Sequence, residues 1–214
     1  MKYVYRIVNA LFAAAVFPSA IFLEFVLIRL STSFLEVGLE ESLTLKKIIG
    51  FFTGSDTIVG FTYAEIKSPE GFVFPEALNP VKGQLIAVVV AFALALIAAI
   101  FIFVWSICSN KRIPVVIAAA AGIISIVVMN ACFNSAVTPL VEGTINVLDL
   151  FTTNWLVSLL GNVVFVDKLC FAGFHNGIII CFAVILAWTA AFYLVEIGEP
   201  KEEKKAAKVK KSKK

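Results

Sequence analysis

GQLIAVVVAFALALIAAIFIFVWSICSN, from Gly83 to Asn110, runs 28 residues without a charged side chain. Lys111, Arg112 and Pro114 interrupt it, and IPVVIAAAAGIISIVVMNACFN then runs apolar from Ile113 to Asn134. An α-helix rises about 1.5 Å per residue, so roughly 20 residues cross a hydrocarbon layer. Both halves are long enough, and the basic break between them belongs in water. The stretch reads as two membrane-spanning helices joined by a short turn.

Composition extends that reading to the whole chain. Hydrophobic residues make up 60% of the 214 and charged residues 15%, whereas soluble domains carry about 25% charge. Mean hydropathy is +0.96. The class is an all-α integral membrane protein with four transmembrane helices, placed at about 7–28, 84–108, 113–134 and 175–196. Residues 1–196 form the transmembrane domain, with outer loops at 31–83 and 135–174, and residues 197–214 form a disordered, lysine-rich tail.

The first span competes with a signal peptide. Its apolar run, IVNALFAAAVFPSAIFLEFVLI, outlasts the usual h-region, which favours a retained helix kinked at Pro18. In the first loop, LEESLTLKKIIGFF reads as an amphipathic helix lying on the membrane surface. IVGFTYAEI and GFVFP, with KSPEG between them, suggest a small β-hairpin. In the second loop, Thr144 to Phe165 is about as long as a span with only Asp149 charged, and is read as an interfacial or re-entrant helix rather than a fifth crossing.

That last choice rests on charge. With four crossings, one side holds Lys2, Arg6, Lys111, Arg112 and eight tail lysines. The other holds Arg29, Lys46, Lys47, Lys67, Lys82 and Lys168, among most of the acids. The positive-inside rule makes both termini cytoplasmic, and a fifth span would export the lysine tail. The net charge of +3 lies in that tail, so it does not signal nucleic-acid binding. The absence of an N-x-S/T sequon leans towards a prokaryotic plasma membrane.

Several polar residues invite a functional reading. Glu24 is the one acid inside an expected span, read either as a cation or proton site or as an interfacial acid paired with Arg29 or Lys82. Asn130 and Asn134, four residues apart, share a face of the third span, and His175 and Asn176 stand at the entrance to the fourth. These groups at one membrane level either line a polar vestibule or serve as hydrogen-bond glue between helices. A lone histidine makes no metal site, and no cofactor is indicated.

Cys132 and Cys170 fall near the outer face, within chemical reach of a disulfide. A quinone-linked thiol oxidoreductase would need a vicinal pair, which none of the four cysteines forms. Small residues recur at helical spacing in Ala87, Ala91, Ala95 and Ala99, in Ala118/Gly122 and Ala121/Ser125, and in Gly173/Gly177. Such faces let helices approach closely within one chain or between copies. Lys204, Lys205, Lys208, Lys210, Lys211, Lys213 and Lys214 of the tail suit an anionic lipid surface or serve as a topology anchor.

Four spans, cytoplasmic ends, a larger first outer loop with a β-hairpin and a smaller second one are similar to the claudin-type tetraspan layout. The resemblance is topological. That family's Trp-Gly-Leu-Trp run and paired loop cysteines are absent from Ser31 to Lys82, so no residue roles carry over. The sequence therefore points to a non-enzymatic scaffold, accessory subunit or oligomeric pore component. The alternative is a small transporter or ion-conducting protein built on Glu24 and the Asn130/Asn134 face.

Overall fold

The computed structural model describes residues 2–32, 39–58, 62, 76–109, 111–145 and 164–198. Four long apolar helices dominate it: α1 (Lys2–Phe22), α3 (Lys82–Cys108), α4 (Ile113–Val141) and α5 (Phe174–Gly198). Each is long and apolar enough to cross a membrane, which makes the chain an integral membrane protein. The short α2 (Leu45–Thr53) and three strands, β1 (Glu24–Thr32), β2 (Leu39–Thr44) and β3 (Val164–Phe171), complete the described elements, with a 3-10 turn at Glu76–Val81.

The helices form an up-down-up-down bundle. Helix α1 packs on α3 and α5, and α4 packs on the same two from the opposite corner. Small residues allow this closeness. Ala91, Ala95 and Ala99 of α3 are buried, so the stripe expected from the sequence faces inward. On α4, a side chain at Gly122 would start 2.5 Å from Cζ of Phe182, because that ring from α5 occupies the space. Gly177 likewise leaves room for Leu23 and Ser19 of the first helix and its exit.

The first span is shorter than the sequence suggests. It ends at Phe22 rather than near residue 28, and Glu24 begins a strand. The sheet order is β2-β1-β3, both pairings antiparallel. Strand β1 is central, so its main chain is bonded on both edges. Its apolar stretch from Phe25 to Ile28 is too short for periodicity alone to separate it from the last turn of a helix.

The loop expectations also shift. LEESLTLKKIIGFF is a strand followed by a helix rather than one amphipathic helix. Thr44 makes the break: its side chain caps α2 by accepting from Lys47 N at 3.1 Å. Gly54, at φ 79°, ends that helix in the left-handed conformation glycine favours. The β-hairpin of the first loop is β1–β2, upstream of its expected place. The segments 59–61 and 63–75, where it was expected, lie outside the described residues, as do 146–163 of the interfacial helix and the tail from 199.

Helix α4 outruns its expected end at Asn134 by two turns. At 29 residues it is about 44 Å long, well beyond the roughly 30 Å of hydrocarbon. Just before that extension, Phe133 stacks on Phe171 of β3 with ring centroids 3.9 Å apart.

Candidate functional site

Polar groups gather at the two ends of the bundle, and an apolar column separates them. Ala13, Val16, Ala95, Ala99, Ile126, Met129, Ile178 and Phe182 fill that column, all buried. Above it, Phe25 stacks on Phe174 at 4.2 Å and meets Phe92 and Phe171 edge-on. One ring from each of α3, β1, β3 and α5 thus closes the sheet end and ties the sheet rigidly to the helices. Edge-to-face and offset pairs of this kind add about 0.5–1.5 kcal/mol each beyond area burial.

The outer polar residues do not converge into a vestibule. Glu24 is exposed at the start of β1 and accepts from Ser42 Oγ at 3.0 Å. It lies outside the helical span, so it is no intramembrane carboxylate. Its expected partner Arg29 instead bonds Asp167 of β3, Nε to Oδ2 at 3.2 Å, with both side chains nearly half exposed. Asn130 is half-buried on α4 and Asn134 is exposed one turn on. Asn176 is exposed, while the half-buried His175 ring borders Phe171 and Phe174, its Nδ1 buried without a hydrogen bond.

Cys132 and Cys170 come to neighbouring elements, yet both are free thiols, like Cys108 and Cys181. Among the described residues, no cluster of three or more His, Cys, Asp or Glu side chains could hold a metal ion. Gly173 borders open space, whereas Gly177 packs on the first helix, so only the second of that pair is a packing glycine.

The opposite end, where α1 begins and α5 ends, holds a cluster that the sequence reading did not single out. Asn9 of α1, Ser106 of α3 and Thr189 of α5 are all buried. Tyr5, one turn before Asn9, places its hydroxyl 3.5 Å from Thr189 Oγ1. Arg6 donates through Nε to the Ser106 carbonyl at 2.7 Å, and the Arg112 guanidinium lies 5.2 Å from the Tyr5 ring centroid. Both amide atoms of Asn9 and the hydroxyl oxygen of Ser106 lack a hydrogen-bond partner. The available signal was Asn9 itself, an amide four residues after Tyr5 at the start of the apolar run of α1. The bond of Arg6 to the Ser106 carbonyl, about a hundred residues away, has no local signature.

Aromatic side chains pin the same end. Trp105 Nε1 donates to the Lys111 carbonyl at 3.0 Å, which fixes the α3–α4 turn, and Trp105 stacks on Phe101. Tyr5 also borders Phe192, and Phe192 meets Trp188. Such rings, polar at one edge, sit well at the hydrocarbon–water boundary.

No protein-family description, characterised protein or solved structure shows significant similarity to this chain.

Proposed function

We propose that this protein is a non-enzymatic tetraspan scaffold or accessory subunit, with its termini in the cytoplasm and its sheet presented on the opposite face. The supporting observation is the closed apolar column. The bundle axis is filled by buried aliphatic and aromatic side chains from Phe174 to Ile185, and the ion pairs among the described residues lie on the sheet and α2. A path for ions or polar solutes through one bundle would have to displace that packing. The sheet, held to the helices by Phe25, Phe92, Phe171 and Phe174, suits a rigid platform for another membrane protein.

Reconstituted in a planar bilayer, the protein is expected to give no conductance above that of the bare membrane. A photo-crosslinker at exposed Glu40 on β2 should yield one discrete adduct in native membranes, whereas the same group at lipid-facing Ile97 should not. A conductance or solute flux that disappears in Glu24→Gln, with expression unchanged, would replace this reading with the transporter alternative.

A further inference from the structure

Helix α2 turns its apolar side away from the rest of the protein. Leu45, Ile48, Ile49 and Phe52 stand at i, i+3, i+4 and i+7, which gathers them into one stripe. On a helix at the surface of a soluble protein, that stripe would face the core. Here Ile49 is 55% exposed and Phe52 52%, with Leu45 and Ile48 half-buried beside them. The opposite side carries the packing. Gly50 and Phe51 are buried there, a side chain at Gly50 would collide with the Asp56 carboxylate, and Lys47 Nζ bonds Glu41.

The end of α1 sets the level of this helix. At 21 residues α1 is about 32 Å long, close to the roughly 30 Å of hydrocarbon, so Phe22 marks the boundary on the sheet side. Two residues on, Glu24 pairs with Thr44, and Thr44 caps α2. Helix α2 therefore starts level with that boundary. Its nine residues extend only about 14 Å, and among the described elements it packs chiefly on α1 and β2, at one corner of the bundle. The exposed, lipid-facing row of α1, Ile7, Leu11 and Phe22, runs to the same end. Lys46 is exposed on the flank of the α2 stripe, where a lysine stem lies along apolar surface and its ammonium reaches the headgroups.

We propose that α2 is an interfacial anchor. Its Leu45–Ile49–Phe52 side inserts among the acyl chains of the sheet-side leaflet and pins β2, and with it the sheet, to the membrane surface. The occupant of this face is the bilayer that the long helices already cross. Only the nine residues of α2 insert; the strand LEESLT before them does not. The anchor does not depend on the scaffold reading, since a transporter with this fold would carry it equally.

The test places a nitroxide spin label on Ile49→Cys in the full chain, with the four native cysteines changed to serine, in phosphatidylcholine nanodiscs. Collisions with oxygen, which concentrates among acyl chains, are compared with collisions with a water-soluble nickel chelate. The oxygen-to-nickel ratio should be several-fold higher for Ile49→Cys than for Glu40→Cys on β2, and close to that for Ile97→Cys on the exposed side of α3. A ratio at 49 equal to that at 40 overturns the proposal. So does a label shielded from both reagents, because a protein segment would then cover the face. Should the cysteine-free chain fail to fold, a benzophenone photo-crosslinker at Ile49 of the otherwise native chain decides the matter in native membranes. An adduct of phospholipid mass is expected there. An adduct only with another protein or a second copy would assign the face to a protein partner and overturn the lipid anchor.

Discussion

Asn9 is a costly side chain in the bundle. It is fully buried among four apolar helices, with neither amide atom bonded. An unpaired buried amide costs about 1–3 kcal/mol by mutational measures, and removing it can leave a protein more stable. Asn9→Leu is therefore expected to raise stability by about 1 kcal/mol, read as a higher thermal midpoint in detergent. A drop of that size would mean the amide has a bound partner, such as an internal water. Gly122 makes the opposite case, because any side chain there meets the Phe182 ring. Overpacking costs about 1–3 kcal/mol, so Gly122→Leu should lower the midpoint clearly. Gly83→Ala, where a Cβ would meet nothing within 4 Å, should leave it nearly unchanged.

At the scale of elements, the decisive feature is the change from helix to strand after Phe22. Strand β1 pairs with β3 such that Leu27 lies opposite Cys170. Directly opposed residues of an antiparallel pair have Cα atoms about 4.5–5.5 Å apart, inside the range a disulfide spans. Leu27→Cys should therefore bond to Cys170 under mild oxidation, detected as a reducible mass loss of two hydrogens. Ile28→Cys, opposite Leu169, should not. A failure of the Leu27 variant would return residues 24–28 to the helix that their apolar run suggests. The Arg29–Asp167 bridge adds little to this pairing, since exposed pairs contribute about 0.2–1 kcal/mol.

For the molecule as a whole, most of the small-residue faces are already occupied, with Ala121 and Gly173 left exposed. Ala91, Ala95, Ala99 and Gly122 all lie inside the bundle, so they are not spare surfaces for self-association. The exposed side of α3 carries Val89, Val90, Leu94, Ile97 and Val104, branched residues that suit fluid lipid better than close helix packing. Native mass spectrometry from a mild detergent should accordingly show a monomer with few retained lipids. A defined oligomer would mean that copies join through the sheet or through segments 146–163 or 59–75, and conductance would then be measured on that oligomer.

Span number was legible in the sequence because helical hydrogen bonds are local and the membrane imposes a length on the apolar run. The Gly83–Asn134 hairpin, the inward alanine stripe and the separation of basic residues towards one end followed from that, and the structure has the same number of long apolar helices and buries Ala91, Ala95 and Ala99 of the stripe. The identity of Glu24–Thr32 did not follow, because a strand is defined by its neighbours. Its partner β3 lies some 140 residues away, and an apolar run serves equally as a helix end or a doubly paired strand. That one pairing moved Glu24 out of the span, gave Arg29 to Asp167 and dispersed the expected outer polar site. The Tyr5–Thr189 and Arg6–Ser106 contacts and the approach of Arg112 to the Tyr5 ring are likewise tertiary, since α1, α3, α4 and α5 bring them together only by packing around a common axis.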